Sequence, residues 1–417
     1  MRRSTRLRGH VAGNVVALGS VSLVTDVSAE MVTAVLPLYL VVGLGMSPLA
    51  FGALDGLYQG ATALFRLAGA HVADRTQRRK LVAGSGYALS AVTKLALLAA
   101  AAPWAVGAVL AADRAGKGLR TPPRDALISL SSPPEEQGRA FGVHRAMDTA
   151  GALLGPLAAF GVLWAAHDAY DAVFVVSCCT AALGVLLLVL FVQESRTPMS
   201  RPGIGPGTGP GTAPGTGRGP GAAEALRTLA RTAGLPRLCL AAALLGLVTV
   251  SDSFLYLLLQ RRLDLPVGYF PLLPVGTAAG FLLLAVPLGR LADRVGRRAV
   301  FLAGHLALLA AYLLLLLPQG GSVVPAVGLL LLLGAFYAAT DGVLMAAAGP
   351  LLPGRLRASG LALVQTAQAA ARFAGSLLFG AGWMYLGPDG AMASACAGLT
   401  VAVVAVTVMN RSALHGS

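Results

Sequence analysis

The chain reads as a succession of long apolar runs, each cut short by a few polar or helix-breaking residues. The runs are continuous, and each is close to the length of about 20 residues that an α-helix needs to cross a bilayer. Twelve spans are expected, near 14–42, 48–72, 81–102, 104–130, 138–165, 172–193, 238–260, 268–291, 299–317, 323–348, 358–385 and 390–409. Membrane β-strands would alternate apolar and polar positions, so a barrel is excluded. Between the sixth and seventh spans, residues 201–221 are almost entirely Pro, Gly and Thr. Such a tract has no side chains with which to build a core and reads as a disordered linker. The expected architecture is all-α and polytopic, with twelve transmembrane helices in two six-helix bundles. The bundles cover 1–193 and 237–417, joined by a cytoplasmic linker over 194–236.

Composition agrees. Only 12% of the 417 residues are charged, where a soluble chain of this length carries roughly 25%. The net charge of +14 would point to nucleic acid in a soluble protein, but here the basic residues sit in short loops between spans. The positive-inside rule accounts for them and no nucleic-acid partner is expected. Arg75, Arg78, Arg79 and Lys80, the linker arginines, Arg294, Arg297 and Arg298, and Arg355 and Arg357 all fall on one side. The alternate loops carry no basic residue, apart from Arg261 and Arg262. Both termini are therefore expected in the cytoplasm of a bacterial-type inner membrane, with the lipid bilayer as solvent. No cleavable signal is expected, because the basic start leads into a full-length span holding Asp26 and Glu30. Cys178, Cys179, Cys239 and Cys396 lie within apolar runs without metal-ligand spacing and read as small buried hydrophobes. No phosphate-binding Gly-x-x-x-x-Gly-Lys-Ser/Thr loop is present. An enzymatic activity, a cofactor and a metal are not expected, and the working unit is expected to be a monomer.

The two halves repeat. Asp74 in "ADRTQRR" and Asp293 in "ADRVGRR" are 219 residues apart, and Arg139 and Arg357 are 218 apart. A near-constant offset at two separate places marks an internal repeat of six spans. "GRLADRVGRR" (289–298) resembles, at every defined position, the loop signature of the major facilitator superfamily, Gly-x-Leu-Ala-Asp-Arg-x-Gly-Arg-Arg. "AHVADRTQRR" (70–79) is the weaker copy, with Ala70 and Gln77 in place of its glycines. "RAGKG" (114–118) is similar to the fourth-span motif Arg-x-x-Gln-Gly, with Lys117 for Gln, and "GALLGP" (151–156) to the fifth-span antiporter motif. The resemblance runs from about residue 14 to 409. It implies that spans one, four, seven and ten line a central cavity with five and eleven beside them. It also implies a gating loop in each half. Asp74 with Arg75 and Arg78, and Asp293 with Arg294 and Arg297, would latch the cytoplasmic side by capping a helix and pairing charges. Loop topology alone explains the arginines but not the repeated Asp. For "GALLGP", close helix packing is an equally good account.

Each ionisable group inside a bilayer costs about 2.5–3.5 kcal/mol on insertion scales and so requires a role. Asp26 and Glu30 share a face of span one; Asp113, Lys117, Arg120 and Arg124 form one stripe on span four; span five adds His144, Arg145 and Asp148. The second half offers Asp252, Asp341 and Arg372, with Gln365 and Gln368. Asp26, Glu30 and Asp148 are the proton-coupling candidates, with the span-one pair ahead because Arg145 stands three residues before Asp148. Arg114, Lys117, Arg120, Asp252, Asp341 and Arg372 are the candidates for cavity charge or substrate binding. Internal ion pairs would account for many of these groups. Arg114 with Asp148, and Arg372 with Asp252 or Asp341, are the natural ones. The span-four ladder would either guide an anionic group or neutralise the carboxylates of spans one and five. His144 would relay protons or, near a helix end, simply be solvated.

The function expected is secondary active transport of a small molecule by alternating access, as proton-coupled efflux. A proton symporter or facilitator importing an organic anion or sugar is the alternative. A receptor or scaffold using the same fold is the alternative from another class, and the costly intramembrane charges argue against it.

Overall fold

The structure, a computed structural model, describes residues 13–58, 78–100, 102–132, 136–166, 169–194, 234–317, 323–340 and 357–412, with a few isolated positions between them. Span one is Gly13–Leu38, prolonged by the π-helical turn Tyr39–Gly43. Span two is helical over 48–58. Spans three to six are Arg79–Ala99, Pro103–Leu130, Gln137–Ala165 and Tyr170–Phe191. Span seven comes in two pieces, Leu235–Val248 and Asp252–Leu263. Spans eight to ten are Leu272–Val295, Arg297–Leu316 and Val324–Thr340. Spans eleven and twelve lie within Arg357–Ser412, separated at Gly387, whose φ of 77° reverses the chain at little cost because glycine has no Cβ. Gly296, at φ 104°, makes the tight turn between spans eight and nine. That conformation gives the second glycine of the loop signature its physical reason.

Eight described helices are long and apolar enough to cross a membrane by themselves, one of them covering spans eleven and twelve. Span four is not among them, since its charges lower its hydropathy. Its Asp113, Arg114, Arg120 and Arg124 are buried against neighbouring spans, so lipid does not meet them. Among the described residues the regular elements are all helical, and these long apolar helices make the protein all-α and multi-pass.

Packing repeats between the halves. Span one lies along span five as span seven lies along span eleven, and span three lies along span four as span nine lies along span ten. We call the end where odd-numbered spans begin the near end, and the other the far end. One apolar core, with Phe51 and Leu54 of the first half and Phe254 and Phe379 of the second, joins the halves toward the far end. At the near end the core is divided: Val15, Leu18, Tyr87 and Leu127 cluster within the first half, and Leu235 with Val364, and Ala292 with Val300, within the second. The halves are sealed at the far end and have separate cores at the near end.

Candidate translocation cavity and its charges

Between the halves lies a cavity of ≈370 Å³, walled by Glu30 and Thr33 of span one, Pro156 of span five, Asp252 and Tyr256 of span seven, and Phe281 of span eight. It shares Thr33, Asp252, Ser253 and Tyr337 with a recess of ≈170 Å³ that Asp55, Tyr58 and Arg372 also border. Its volume suits a small molecule.

The break in span seven positions Asp252. Residues 249–251 leave the helix, and Tyr312 steps in: Val250 N–H donates to its Oη at 2.7 Å, and that hydroxyl donates to Val248 O at 3.3 Å. Backbone groups freed by the break are thus satisfied inside the protein, as a membrane interior demands. Ser251 then caps the second piece, its Oγ accepting from Ser253 N. Asp252 falls in that piece's first turn, where the helix dipole favours a negative charge, and accepts a hydrogen bond from Tyr337 Oη at 2.8 Å. Broken helices of this kind lie at the binding sites of many transporters.

Spans one and four, running antiparallel, are bridged by a ladder. Arg124 Nη1 donates to Ser22 Oγ at 3.1 Å, Arg120 Nη2 to Asp26 Oδ1 at 3.1 Å, and Lys117 Nζ stands 3.8 Å from Glu30 Oε1. Each step up one helix matches a step down the other. Above the ladder Arg114 stacks on Tyr58, 3.8 Å from the ring centroid, and Tyr58 Oη pairs with Thr33 Oγ1 at 2.6 Å. Arg120 also stacks on Tyr87, at 4.5 Å. The span-four cations are thus drawn toward span one. Arg114 and Arg120 are buried against these partners, whereas Lys117 keeps 30% exposure beside Glu30, which walls the cavity.

The pairing of Arg114 with Asp148 is also corrected. Arg114 Nη2 binds the neighbouring Asp113 at 2.5 Å. Asp148 instead has Arg124 at 3.6 Å, His144 at 3.9 Å and Arg145 at 3.9 Å. Arg145 is 81% exposed, so water screens it. Asp148 Oδ1 and both ring nitrogens of His144 are buried without a hydrogen-bond partner. His144 is therefore not solvated, because it lies on the face of span five that packs against its neighbours, while Phe141, Gly142 and Arg145 stay exposed. Asp148 lies one turn from Gly151, where an added Cβ would stand 3.1 Å from Asp26 Cβ, so spans five and one bring the two carboxylates close together. Gly151 and Gly155 explain that closeness: a Cβ on Gly151 would stand 2.5 Å from Leu23 O, and one on Gly155 would stand 2.6 Å from Glu30 Cβ. Close packing against span one accounts for both glycines of "GALLGP".

Arg372 and Asp252 border the same recess. Asp341 lies outside the described residues, as do Asp74 and Arg75 and the side chains of Asp293 and Arg297. Arg78 and Arg294 are exposed at the near end. Arg261 and Arg262, which broke the charge pattern of the loops, have local partners: Arg261 stacks on Trp383 and Arg262 pairs with Asp389.

Two buried charges escaped the sequence reading, Lys94 on span three and Asp55 on span two. Lys94 Nζ binds Asp113 Oδ1 at 3.2 Å, and Asp55 accepts from Ser376 at 2.8 Å. Both sit inside apolar runs, "AVTKLAL" and "GALDGLY". The rule that flagged Asp26 would have flagged them too.

The profile of the major facilitator superfamily matches residues 18–376. The chain belongs to this superfamily. It is thus a membrane transporter, not an enzyme. An uncharacterised MFS-type transporter of Methanocaldococcus jannaschii is 28% identical over 298 residues, 70% of this chain and 69% of the relative. An uncharacterised protein of Mycobacterium tuberculosis is 35% identical over 174 residues, 42% of this chain and 40% of its own length. The multidrug resistance protein MdtH of Edwardsiella ictaluri is 32% identical over 114 residues, 27% of this chain and 28% of its own. Among solved structures, the nucleoside transporter NupG superposes with a TM-score of 0.77 at 14% identity, covering 95% of this chain and 98% of that one. A bacterial homologue of the lysosomal transporter Spinster, inward-facing and occupied, superposes with a TM-score of 0.71 at 16% identity, covering 95% and 96%. At these identities the likeness is one of fold. In this superfamily member the cavity and its recess are walled by residues of spans one, two, five, seven, eight, ten and eleven.

Proposed function

We propose that this transporter exports a small molecule in exchange for protons, through alternating exposure of the central cavity, and that Asp148 with Asp26 carries the proton. One observation supports the coupling site above all: Asp148 keeps a buried oxygen without a hydrogen-bond donor on the stretch of span five that packs closely against Asp26. Two carboxyl groups brought close together favour holding one proton between them. Asp26 is held by Arg120 at 3.1 Å, whereas the arginines around Asp148 stand 3.6 and 3.9 Å away. Asp148 therefore moves ahead of the span-one pair as the group that gains and loses the proton, with His144 beside it as relay. Glu30 faces the cavity, 27% exposed against 30% for Lys117, and its role is toward substrate. The segment similar to a multidrug resistance protein supports efflux.

The near end, which bears the basic loops, is the cytoplasmic one in this reading. The structure then represents an inward-facing state of a monomer in a bacterial inner membrane, with bundles 1–193 and 237–417 rocking on a loose tether. Everted vesicles energised by respiration, with a dye that reports lumenal acidity, provide the test. Some compound of a broad panel should release protons from wild-type vesicles and none from vesicles carrying Asp148→Asn. Compound movement in the same direction as the protons, or flux indifferent to the gradient, would replace efflux by the symport or facilitator reading.

A further inference from the structure

Within the far-end seal, spans two and eleven cross closely. Each brings two small residues four apart, Gly52 and Gly56 against Ser376 and Gly380, the spacing that lets membrane helices approach closely. A Cβ on Gly52 would stand 2.5 Å from Ser376 O, one on Gly380 2.5 Å from Pro48 O, and one on Gly56 2.6 Å from the Phe373 ring. The backbones therefore touch, and no larger residue fits without parting them. Toward the far end the crossing is plugged by aromatic rings, with Phe254 of span seven 4.8 Å from Phe51 and 4.9 Å from Phe379 between centroids. At its inner edge Ser376 Oγ donates to Asp55 Oδ2 at 2.8 Å. Both residues are buried, at 1% and 8% exposure. Among the described residues this side-chain hydrogen bond joins one half of the protein to the other. Asp55 also borders the recess of the cavity, together with Asp252 and Arg372. One carboxylate thus touches both the seal and the space where cargo would sit.

We propose that Asp55 is the residue through which occupancy of the cavity controls the far-end seal. A buried carboxylate stripped of a hydrogen bond is costly, so Asp55 resists giving up Ser376 while nothing replaces it. A ligand that enters the recess with an ammonium, amide or hydroxyl group offers a replacement donor. It then competes with Ser376 for Asp55 Oδ2 and lowers the barrier to parting spans two and eleven. The seal in this way opens toward loaded cavities in preference to empty ones, which limits leak. The proposal rests on alternating access to the cavity but on neither proton coupling nor the direction of transport.

The test measures sidedness of labelling without substrate or gradient, so its outcome is separate from that of the coupling experiment. Ser253, which lines both cavity and recess, is replaced by Cys in a background where Cys178, Cys179, Cys239 and Cys396 are replaced by Ala. A membrane-impermeant thiol reagent is applied from the far-end face and, separately, from the near-end face. Ser376→Ala and Asp55→Ala should each raise far-side labelling about tenfold, as expected for losing a hydrogen bond to a charged group. The double variant should label no faster than the faster single one, because either change removes the same bond. Asp55→Asn, which keeps an acceptor for Ser376, should fall between parent and Ser376→Ala. It carries the test if an alanine variant fails to elute as a folded species. Unchanged far-side labelling in the folded variants, or a double variant equal to the product of the singles, would overturn the proposal.

Discussion

Replacing Asp113 by Asn should cost about 3 kcal/mol of stability while leaving transport per folded molecule near normal. Asp113 Oδ1 accepts from Ser90 Oγ at 2.5 Å and from Lys94 Nζ at 3.2 Å, and Oδ2 accepts from Arg114 Nη2 at 2.5 Å and Nε at 3.2 Å. The side chains of Lys94 and Arg114 are only 4% and 7% exposed, so neither cation can turn to water. Breaking a buried pair from one side costs about 3–5 kcal/mol, and here one carboxylate serves two cations. Part of the loss is offset. Lys94 keeps Ser90 O at 2.8 Å, and Arg114 keeps the Tyr58 ring, worth about 2 kcal/mol when desolvated. The lower end of the range is therefore expected. Lys94→Met should cost less, about 1 kcal/mol, because Asp113 retains Arg114 and Ser90. Combining the two changes removes one of the stranded cations, so the double variant should be more stable than the sum by about 1 kcal/mol or more. Reversible unfolding of the detergent-solubilised protein measures all three, and counterflow in proteoliposomes measures transport. A cost for Asp113→Asn below about 1 kcal/mol would refute the reasoning. So would additive costs, or intact stability with lost transport, which would move Asp113 among the working charges.

Two further outcomes follow from packing and from chain reach. Gly155→Val should destabilise the fold by about 1–3 kcal/mol or more through overpacking against span one. Gly161→Val, at a position with no atom within 4 Å of an added Cβ, should lie within about 0.5 kcal/mol of wild type, as surface changes do; equal melting temperatures for both would contradict the close-approach argument. Replacing residues 201–221 by a Gly/Ser tract of equal length should leave transport near wild type, since a tether needs only reach, and a large loss at normal expression would reveal a binding role for the segment.

The class of this protein was legible in its apolar runs, because a bilayer tolerates only backbone whose hydrogen bonds are closed within the span, and that requirement writes itself into local composition. The repeat was legible for a similar reason: Asp74 and Asp293 keep their offset because each half is a copy, and a copy needs no structure to be recognised. Individual charges such as Asp26 and Asp252 could be flagged one by one, since burial is costly wherever it occurs. Their partners could not. Arg114 turned to Asp113 and Tyr58 rather than to Asp148, and Lys117 turned to Glu30. Those choices depend on how far apart spans one, four and five stand and how they are rotated. Glycines 151 and 155 set the first distance by letting span five lie against span one, and nothing local to Arg114 carries that information. The break at 249–251 is a further case: its sequence reads as continuous span, and only the Tyr312 hydroxyl, reaching in from span nine, makes an interrupted helix affordable inside a membrane. The sequence by itself determined that helices cross the bilayer, how many, and which costly charges they carry. The tertiary structure decided which charges meet, which end is sealed and which carboxylates face the cavity, because long-range distances arise from packing that no single segment encodes.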